Sequence, residues 1–143
     1  MKLVRINELN NRWEIVEQFL TNCGESLKTF RYFFKRGKEV LYEHIHTVVL
    51  YEDEKIIGYG HLDTCDSGKI WLGICLISGK TGLGLGKLIM NNLLQWSDKN
   101  NSKEINLSVD ISNAAGKKLY EHFDFRVYNK TETMYFMKRS KRV

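Results

Sequence analysis

A glycine-rich turn near the middle of the chain is built from residue types that could hold a phosphate group. Residues 81–86 read Thr-Gly-Leu-Gly-Leu-Gly, after an apolar run over 70–77 and before a helical pattern of apolar residues over 85–96. Glycines let backbone N–H groups approach a ligand, and the first turn of a helix carries about half a positive charge. The expected order of strand, turn and helix therefore predicts an anion-binding site.

Two common phosphate-binding motifs do not fit this turn. A P-loop has a Gly five residues ahead of its Gly-Lys pair, and Ile74 and Thr81 occupy the corresponding positions here. A dinucleotide fingerprint reads Gly-x-Gly-x-x-Gly, whereas these glycines recur at every second residue. Neither a P-loop nor a Rossmann dinucleotide site is predicted.

A second block, residues 105–125, reads INLSVDISNAAGKKLYEHFDF. Together the two blocks resemble the GNAT superfamily of N-acetyltransferases. The glycine turn is similar to the pyrophosphate loop of that family, Arg/Gln-x-x-Gly-x-Gly/Ala, with Thr81 in place of the Arg or Gln. The second block is similar to the family's strand ending in Val-x-x-x-Asn and its helix Ala-x-x-Leu-Tyr-Glu, and it supplies Val109, Asn113 and Tyr120.

Three further residues depart from the family pattern. Ser78 stands in place of a common proline, and Gly116 stands in place of Ala. Asp124 stands where the family prefers Gly at the end of a helix. Because Asp tolerates left-handed backbone better than most residues, we expect Asp124 to end its helix in that conformation.

The resemblance implies that acetyl-CoA is the cosubstrate and that the turn binds its pyrophosphate. The residues expected to bind it are Cys75, Leu76, Ser78, Thr81, Gly82, Leu83, Gly84, Leu85, Gly86, Lys87, Asn113 and Tyr120. At the first three, main-chain atoms are expected to act as oxyanion donor and pantetheine partners. Lys80 and Lys87 either add charge or lie solvated at the surface. Asn113 is expected to position the pantetheine arm, to cap the following helix, or to do both.

Acyl transfer from a thioester to an amine requires loss of an amine proton, stabilisation of an oxyanion and a proton for the departing thiolate. The resemblance gives the last of these roles to Tyr120. The pKa of a phenol is about 10 and that of an ordinary thiol is about 8.5, so this proton transfer is uphill unless the site lowers the phenol's pKa. The alternative is that Tyr120 is a core aromatic on a helix face.

The candidates for the general base are His61 and Asp63, which lie two residues apart and therefore on one face of a strand. Many relatives carry a Glu on the strand before the glycine turn, but this strand has none. A His is well suited to taking an amine proton, directly or through water. The alternative is a surface pair without a catalytic role, and Asp110 is a third, weaker candidate.

The elements that position these residues follow from the spacing of apolar side chains. Strands are expected at 2–6, 47–51, 55–64, 70–77, in the first part of 105–125, at 126–129 and at 132–138. Helices are expected from Asn10 or Asn11 to about Cys23, from Ser26 to about Arg36, after the glycine turn, and over the second part of 105–125. This order predicts an α+β fold. The resemblance implies a GNAT-like mixed, mostly antiparallel central sheet, flanked by helices and splayed at the acetyl-CoA cleft.

The second helix is expected to bury Leu27, Phe30 and Phe34 on one face. Its other positions are crowded with cations, namely Lys28, Arg31, Lys35 and Arg36. The resemblance implies that this helix lines the acceptor groove, where cations favour an anionic acceptor. We therefore expect Phe30, Arg31 and Tyr32 to bind a small primary amine on a phosphate-bearing molecule, such as a nucleotide-linked amino sugar. The alternative is a solvated basic face with its aromatic residues partly in the core.

Length and composition indicate one domain over residues 1–143, and the resemblance implies that it is an acetyltransferase domain. A chain of 143 residues with 43% hydrophobic and 27% charged residues is typical of a single soluble globular domain. Neither a membrane-spanning run nor a signal peptide is evident, and Cys23, Cys65 and Cys75 have no paired spacing typical of disulfides or zinc. We expect a cytoplasmic protein with buried free thiols, no metal site and no membrane partner.

Two other function classes stay open. A pI near 9.1 and the aromatic residues interleaved with cations over 30–36 are also typical of a nucleic-acid-binding module. That interpretation leaves the glycine turn and the Tyr120 block unexplained, so no nucleic-acid partner is predicted. Thr81 raises a third alternative, a GNAT fold that binds CoA without turnover. A homodimer is one option for the oligomeric state, and the use of acyl groups other than acetyl is not decided.

Overall fold

A single mixed sheet organises the protein. The computed structural model describes residues 1–64, 69–100 and 104–140. The strands of these residues are β1 (Lys2–Arg5), β2 (His46–Glu52), β3 (Lys55–Asp63), β4 (Ile70–Leu76), β5 (Ile105–Asp110), β6 (Arg126–Lys130) and β7 (Met134–Arg139). Their α-helices are α1 (Arg12–Thr21), α2 (Tyr32–Arg36), α3 (Leu85–Asn100) and α4 (Ala114–His122), and 3-10 turns cover Gly24–Lys28 and Lys38–Glu43.

The sheet opens between its two parallel strands. The strand order is β1-β2-β3-β4-β5-β7-β6, and all neighbours are antiparallel except β4 and β5. β3 and β4 stay paired from Gly58 and Leu76 to Asp63 and Trp71. β4 and β5 are paired only near Trp71, at the start of each strand. The two strands therefore diverge toward the glycine turn, which confirms the predicted α+β fold with a splayed, mostly antiparallel sheet.

Glycines on β3 allow α3 to pack closely on one face of the sheet. A Cβ at Gly60 would lie 2.5 Å from Cγ2 of Ile89, and one at Gly58 would lie 2.9 Å from Cδ1 of the same residue. Ile89 and Leu93 are fully buried on α3, four residues apart, as the apolar spacing predicts.

Aromatic side chains fill the opposite face of the sheet. Phe19 of α1 stacks on Tyr59 of β3 with ring centroids 5.9 Å apart. Phe33 of α2 contacts the same Tyr59 at 5.8 Å and Trp13 of α1 at 5.5 Å. The short helix α2 is therefore fixed to the sheet by aromatic contacts rather than by its own length, since a helix this short is marginal alone.

The predicted helix over 26–36 is wrong in extent, because a 3-10 turn and the short helix α2 replace it. The break between them lets Phe30 and Phe33 both reach Tyr59, with ring centroids 5.6 and 5.8 Å apart. Phe34, which the helical spacing placed on the buried face, is 78% exposed. Packing of the aromatic residues here outweighs local helical periodicity.

The other predicted elements agree with the structure to within about two residues at their ends, which is the ordinary uncertainty of such boundaries. Asp124, expected to end its helix in left-handed backbone, has a φ of 70° just after α4. No helix of the described residues is long and apolar enough to cross a membrane.

Replacing Gly60 by Ala is expected to lower the free energy of unfolding by about 1–3 kcal/mol, because the new Cβ would overlap the β-branched Ile89. This loss outweighs the roughly 0.5–1 kcal/mol that Ala gains over Gly in backbone entropy. Lys55→Ala, at the exposed end of the same strand, is the control, and urea denaturation measures both variants. A Gly60→Ala protein as stable as the wild type would contradict this packing of α3.

Candidate active site

A cavity of about 950 Å³ lies where β4 and β5 diverge. Its wall includes β4, the glycine turn, α4 and the segment that contains α2. Beyond Trp71, the edge of β4 that faces β5 has no strand partner among the described residues, so main-chain groups there can meet a ligand. The volume is typical of a small-molecule or cofactor site.

The glycine turn presents open backbone to this cavity. Gly82 and Gly84 have φ of 77° and 79°, a conformation that side chains with a Cβ rarely adopt. Nothing lies within 4 Å of where a Cβ would sit on either residue. Gly86 lies in the first turn of α3, where a Cβ would come within 3.0 Å of Leu119 on α4. The turn and the start of α3 thus form a cradle suited to a phosphate group.

Tyr120 reaches the same cavity from α4. The residue is 7% exposed and lines the cavity, and its hydroxyl has no hydrogen-bond partner within the described residues. The hydroxyl oxygen is not fully enclosed by the described residues, so it is open to the cavity. Burial, with a smaller effect of the nearby Cys75, raises the pKa of Tyr120 above its ordinary value. The site therefore does not lower the pKa of Tyr120, the change that would make proton transfer to the departing thiolate easy.

Asn113 begins α4 and also lines the cavity. Its Oδ1 accepts a hydrogen bond from the backbone N–H of Gly116 at 2.9 Å, which confirms the predicted helix cap. A Cβ at residue 116 would lie 2.6 Å from Nδ2 of Asn113. The glycine that replaces the family's Ala therefore leaves room for the cap.

Two buried cysteines lie beside the cavity. The Sγ atoms of Cys23 and Cys75 are 3.9 Å apart, and both thiols are free, as predicted. The hydrogen bond to Cys23, followed by burial, raises the pKa of the Cys75 thiol. Cys75 therefore stays protonated and is a poor nucleophile. The third cysteine, Cys65, lies outside the described residues.

His61 and Asp63 lie on the cavity wall and are only 1% and 2% exposed. The alternative interpretation, a surface pair, is therefore wrong. A Cβ at Gly73 would lie 2.6 Å from Nε2 and Cε1 of His61, so this glycine makes room for the imidazole across β4. The ring thus packs over β4, the strand that precedes the glycine turn.

A network of hydrogen bonds surrounds these two residues. The Tyr32 hydroxyl donates to Asp63 and lies 2.9 Å from Nε2 of His44. Nδ1 of His61 lies 2.7 Å from the hydroxyl of Tyr59. Burial lowers the pKa of His44 to about 4, and burial lowers the pKa of His61 well below its ordinary value. Both imidazoles are therefore neutral near pH 7.

The basic segment contributes side chains to the same cavity. Phe30, Arg31 and Tyr32 all line it, as do Lys35 and Lys69. Arg31 is already paired, because its two terminal nitrogens lie 3.1 and 3.3 Å from the carboxylate oxygens of Asp110. Lys35 and Lys69 have no ion pair within the described residues. Arg31 therefore adds little to the net positive charge at this part of the wall, to which Lys35 and Lys69 contribute.

The sequence model of the acetyltransferase (GNAT) family matches residues 10–125. The chain belongs to this family. No curated protein sequence matches the chain. The family assignment makes the protein an acyltransferase whose cosubstrate is acetyl-CoA, in agreement with both expectations from the sequence.

Solved structures of other GNAT proteins share the fold. The ribosomal-protein-S18-alanine N-acetyltransferase of Escherichia coli is 15% identical, with a TM-score of 0.74 over 99% of this chain and 96% of that chain. The N-acetyltransferase PseH of Campylobacter jejuni, in complex with acetyl coenzyme A, is 19% identical, with a TM-score of 0.66 over 99% of each chain. The PaiA N-acetyltransferase of Thermoplasma acidophilum, in complex with coenzyme A, is 18% identical, with a TM-score of 0.68 over 98% and 99%. At such identities the similarity shows a shared fold.

Most residues expected to bind acetyl-CoA in this GNAT domain meet at the cavity. Those on its wall are Cys75, Leu76, Thr81, Gly82, Gly84, Gly86, Lys87, Asn113 and Tyr120. Leu83 is 63% exposed and Leu85 packs in the core, so neither side chain is part of the wall. The Ser78 N–H is not available to a ligand, because it donates to the Cys23 carbonyl at 2.9 Å. Lys80 is paired with Glu52 at 2.8 Å and also lies off the wall.

Three residues that contact the wall residues Tyr32 or His61 are not among the candidates from the sequence, namely His44, Tyr59 and Gly73. Tyr59 was within reach, because it alternates with His61 on one strand and so shares its face. Nothing local indicates His44, which follows a 3-10 turn and meets Tyr32 only in the folded protein. Among the described residues, no group of three or more His, Cys, Asp or Glu could hold a metal ion.

The buried His44 predicts that stability falls on mild acidification. Because burial lowers its folded pKa to about 4, the unfolded chain binds more protons between about pH 6.5 and 4. The free energy of unfolding is therefore greatest above this range and falls by up to about 3 kcal/mol as the pH drops through it. Urea denaturation between pH 7 and 5 measures the slope, which His44→Asn is expected to reduce. The exposed His122 provides a control, His122→Asn, and equal slopes for the two variants would contradict the assignment.

Proposed function

We propose that the protein transfers the acetyl group of acetyl-CoA to the primary amine of a small phosphate-bearing molecule, such as a nucleotide-linked amino sugar. One observation carries the proposal. The open glycine cradle, the phenol of Tyr120, which has no hydrogen-bond partner among the described residues, and the basic segment all line one cavity. In a ternary complex the amine nitrogen attacks the thioester carbonyl, the C–S bond breaks, and CoA leaves as the thiol.

The backbone of the glycine turn supports pyrophosphate binding. Exposed amides around Gly82 and Gly84 and the start of α3 each contribute on the order of 0.3–2 kcal/mol to an anion contact. Thr81 supplies a hydroxyl where the family carries a charged or amide side chain. Lys87 directly follows Gly86, on the first turn of α3, and brings a cation to the cavity wall beside the glycine turn.

Direct attack by the amine is favoured over an acyl-enzyme intermediate. The cysteine that lines the cavity within the described residues is Cys75, and its raised pKa keeps it as a neutral thiol. A protonated thiol is a poor nucleophile, so the acetyl group passes to the amine in one transfer.

Tyr120 is the proton donor for the departing thiolate. Its phenol is buried, open to the cavity and not engaged by another described residue. The same desolvation that raises the phenol's pKa also raises that of a thiol leaving in this site, so the difference between the two pKa values does not grow by the full shift at Tyr120. Tyr120 therefore donates a hydrogen bond early and its proton as the C–S bond breaks.

The amine proton leaves on the side of the cavity formed by His61 and Asp63. Both side chains are buried on the wall, within reach of one bound molecule. Asp110 is a poorer base, because both of its oxygens already contact the guanidinium of Arg31. General-base assistance of this kind is worth about 10²–10⁴-fold in rate.

The charge of the cavity supports an anionic acceptor. Lys35 and Lys69 lie on its wall without an ion pair to a described residue. Clefts lined by one sign of charge raise the local concentration of ligands of the opposite sign. A phosphate group on the acceptor would offer these lysines an ion pair.

Two assays test the proposal. Thermal stabilisation of the protein by acetyl-CoA and CoA, compared with a single-stranded oligonucleotide, separates a CoA site from a nucleic-acid site. A thiol-release assay over a panel of amines then separates an enzyme from a CoA-binding protein without turnover. Phosphorylated amines are expected to be the best acceptors. The acceptor hypothesis fails if uncharged amines, polyamines or peptides react faster.

Tyr120→Phe is expected to lower kcat by about 10²–10⁴-fold, because it removes the proton donor. Acetyl-CoA binding is expected to change little, because the ring and the glycine turn remain. Thiol release gives kcat and calorimetry gives the dissociation constant. Tyr128→Phe, on the exposed strand β6, is the matched control. An unchanged kcat for Tyr120→Phe would remove the phenol from the mechanism.

Replacing Lys35 and Lys69 together by Gln is expected to raise KM for a phosphorylated acceptor by about tenfold, since each exposed ion pair contributes roughly 0.2–1 kcal/mol. The KM of the matching acceptor without phosphate is expected to stay unchanged. Lys2→Gln with Lys99→Gln removes the same charge from residues off the cavity wall and serves as the control. Equal effects on both acceptors would argue against a phosphate contact.

A further inference from the structure

We propose that Tyr59 fixes His61 as a hydrogen-bond donor that binds an oxygen atom of the acceptor, and that Asp63 therefore receives the amine proton. The substrates in this inference rest on the proposed function. The hydrogen-bond argument for His61 rests only on groups within the protein.

Tyr59 determines which nitrogen of His61 carries the proton. Tyr59 is fully buried, and within the described residues its hydroxyl has one hydrogen-bond partner, Nδ1 of His61 at 2.7 Å. If Nδ1 carried the proton, the phenol oxygen would accept it and the Tyr59 O–H would be left without an acceptor. An unsatisfied buried donor costs about 1–3 kcal/mol. Tyr59 therefore donates to Nδ1, and the neutral imidazole carries its proton on Nε2.

The Nε2–H of His61 faces the cavity. Nε2 has no hydrogen-bond partner among the described residues. Two side-chain nitrogens of these residues are fully enclosed without a partner, Nε of Arg12 and Nε of Arg139. Nε2 of His61 is not one of them, so it is not fully enclosed by protein. Because His61 lies on the cavity wall and its Nε2 comes over Gly73, this group opens to the bound acceptor. In this tautomer it can donate a hydrogen bond but cannot take up the amine proton.

A second chain of hydrogen bonds runs in one direction and ends at Asp63. An ionised carboxylate can only accept, and the Tyr32 hydroxyl donates to it. The oxygen of Tyr32 therefore accepts from Nε2–H of His44, 2.9 Å away. Nδ1 of His44 in turn accepts from the hydroxyl of Thr47 at 3.0 Å. Every donor in this chain points toward Asp63, so its carboxylate is the acceptor group of the cluster.

Asp110 is a poor acceptor for the amine proton, because the cationic guanidinium of Arg31 stabilises its charged form. Among the described residues of the cavity wall, the other carboxylate is Asp63, which is buried and accepts a hydrogen bond from Tyr32. An ammonium group loses two protons on becoming an amide. One passes to Asp63 and then to solvent. The other compensates for the proton that Tyr120 gives to the thiolate, so that CoA leaves as the thiol and Tyr120 ends protonated.

The tautomer can be measured without substrate. In a long-range ¹H–¹⁵N spectrum of the full chain labelled at histidine, the ¹⁵N shifts of the two ring nitrogens distinguish the neutral tautomers. We expect His61 as the Nε2–H form in the wild type and a mixture of tautomers in Tyr59→Phe. His46 is an internal reference, because Arg5 lies 2.6 Å from its Nδ1 and can only donate. An Nδ1–H form of His61 in the wild type would overturn the proposal.

Kinetics of matched variants test the role itself. His61→Gln keeps an N–H donor and has no titrating group, whereas His61→Leu has neither. As the conservative variant, Gln is expected to restore kcat/KM to about 3–10-fold above that of Leu, through the KM of the acceptor, since one hydrogen bond is worth about 0.5–1.5 kcal/mol. Asp63→Asn is expected to lower kcat by about 10²–10⁴-fold. A kcat of His61→Gln as low as that of Asp63→Asn would overturn the proposal.

The two proposals fail in different ways. Absence of acetyl transfer to any amine would defeat the proposed function, while the tautomer of His61 would still be readable in the unliganded protein. Acetyl transfer together with an Nδ1–H His61 would defeat only this inference. Thermal denaturation of each variant shows whether a loss of activity follows from a loss of fold.

Discussion

The divergence of β4 from β5 is the constraint on which the site depends. The two strands stay paired only at their first residues, so the edge of β4 that faces β5 has unsatisfied main-chain groups in the described structure. Backbone polar groups in such a place need water or a ligand as partner. The glycine turn continues β4, and α4 with Tyr120 follows β5, so parting the strands also sets the distance between the phosphate cradle and the phenol.

Glycine serves three separate purposes around this opening. At Gly60 it lets a helix approach the sheet, and at Gly73 it makes room for the imidazole ring of His61. At Gly82 and Gly84 it provides the left-handed backbone of the turn. The first two uses depend on a neighbour that is distant in sequence, whereas the third is local. This difference explains why only the turn glycines could be recognised before the fold was known.

Much of the fold followed from the sequence because its signals were local. The apolar spacing of α3, the glycine turn and the block around Tyr120 each occupy one continuous stretch, and each was placed correctly. The segment 26–36 was placed wrongly because Phe33 packs on residues of α1 and β3, which periodicity cannot reveal. The burial of His61 and the direction of the pKa shift at Tyr120 also depend on residues far along the chain, so neither could be read from the motifs.

Alternation along β3 separates two tasks on one strand. Side chains at even positions, such as Leu62, and the glycines at 58 and 60 face α3. On the other face, His61 and Asp63 line the cavity, whereas Tyr59 packs in the aromatic core. Substitutions on the cavity face can therefore change the choice of acceptor while the contact with α3 stays constant. A laboratory-evolution library at residue 61, with Tyr59 and Asp63 kept, would therefore explore new amine substrates without disturbing the packing of α3.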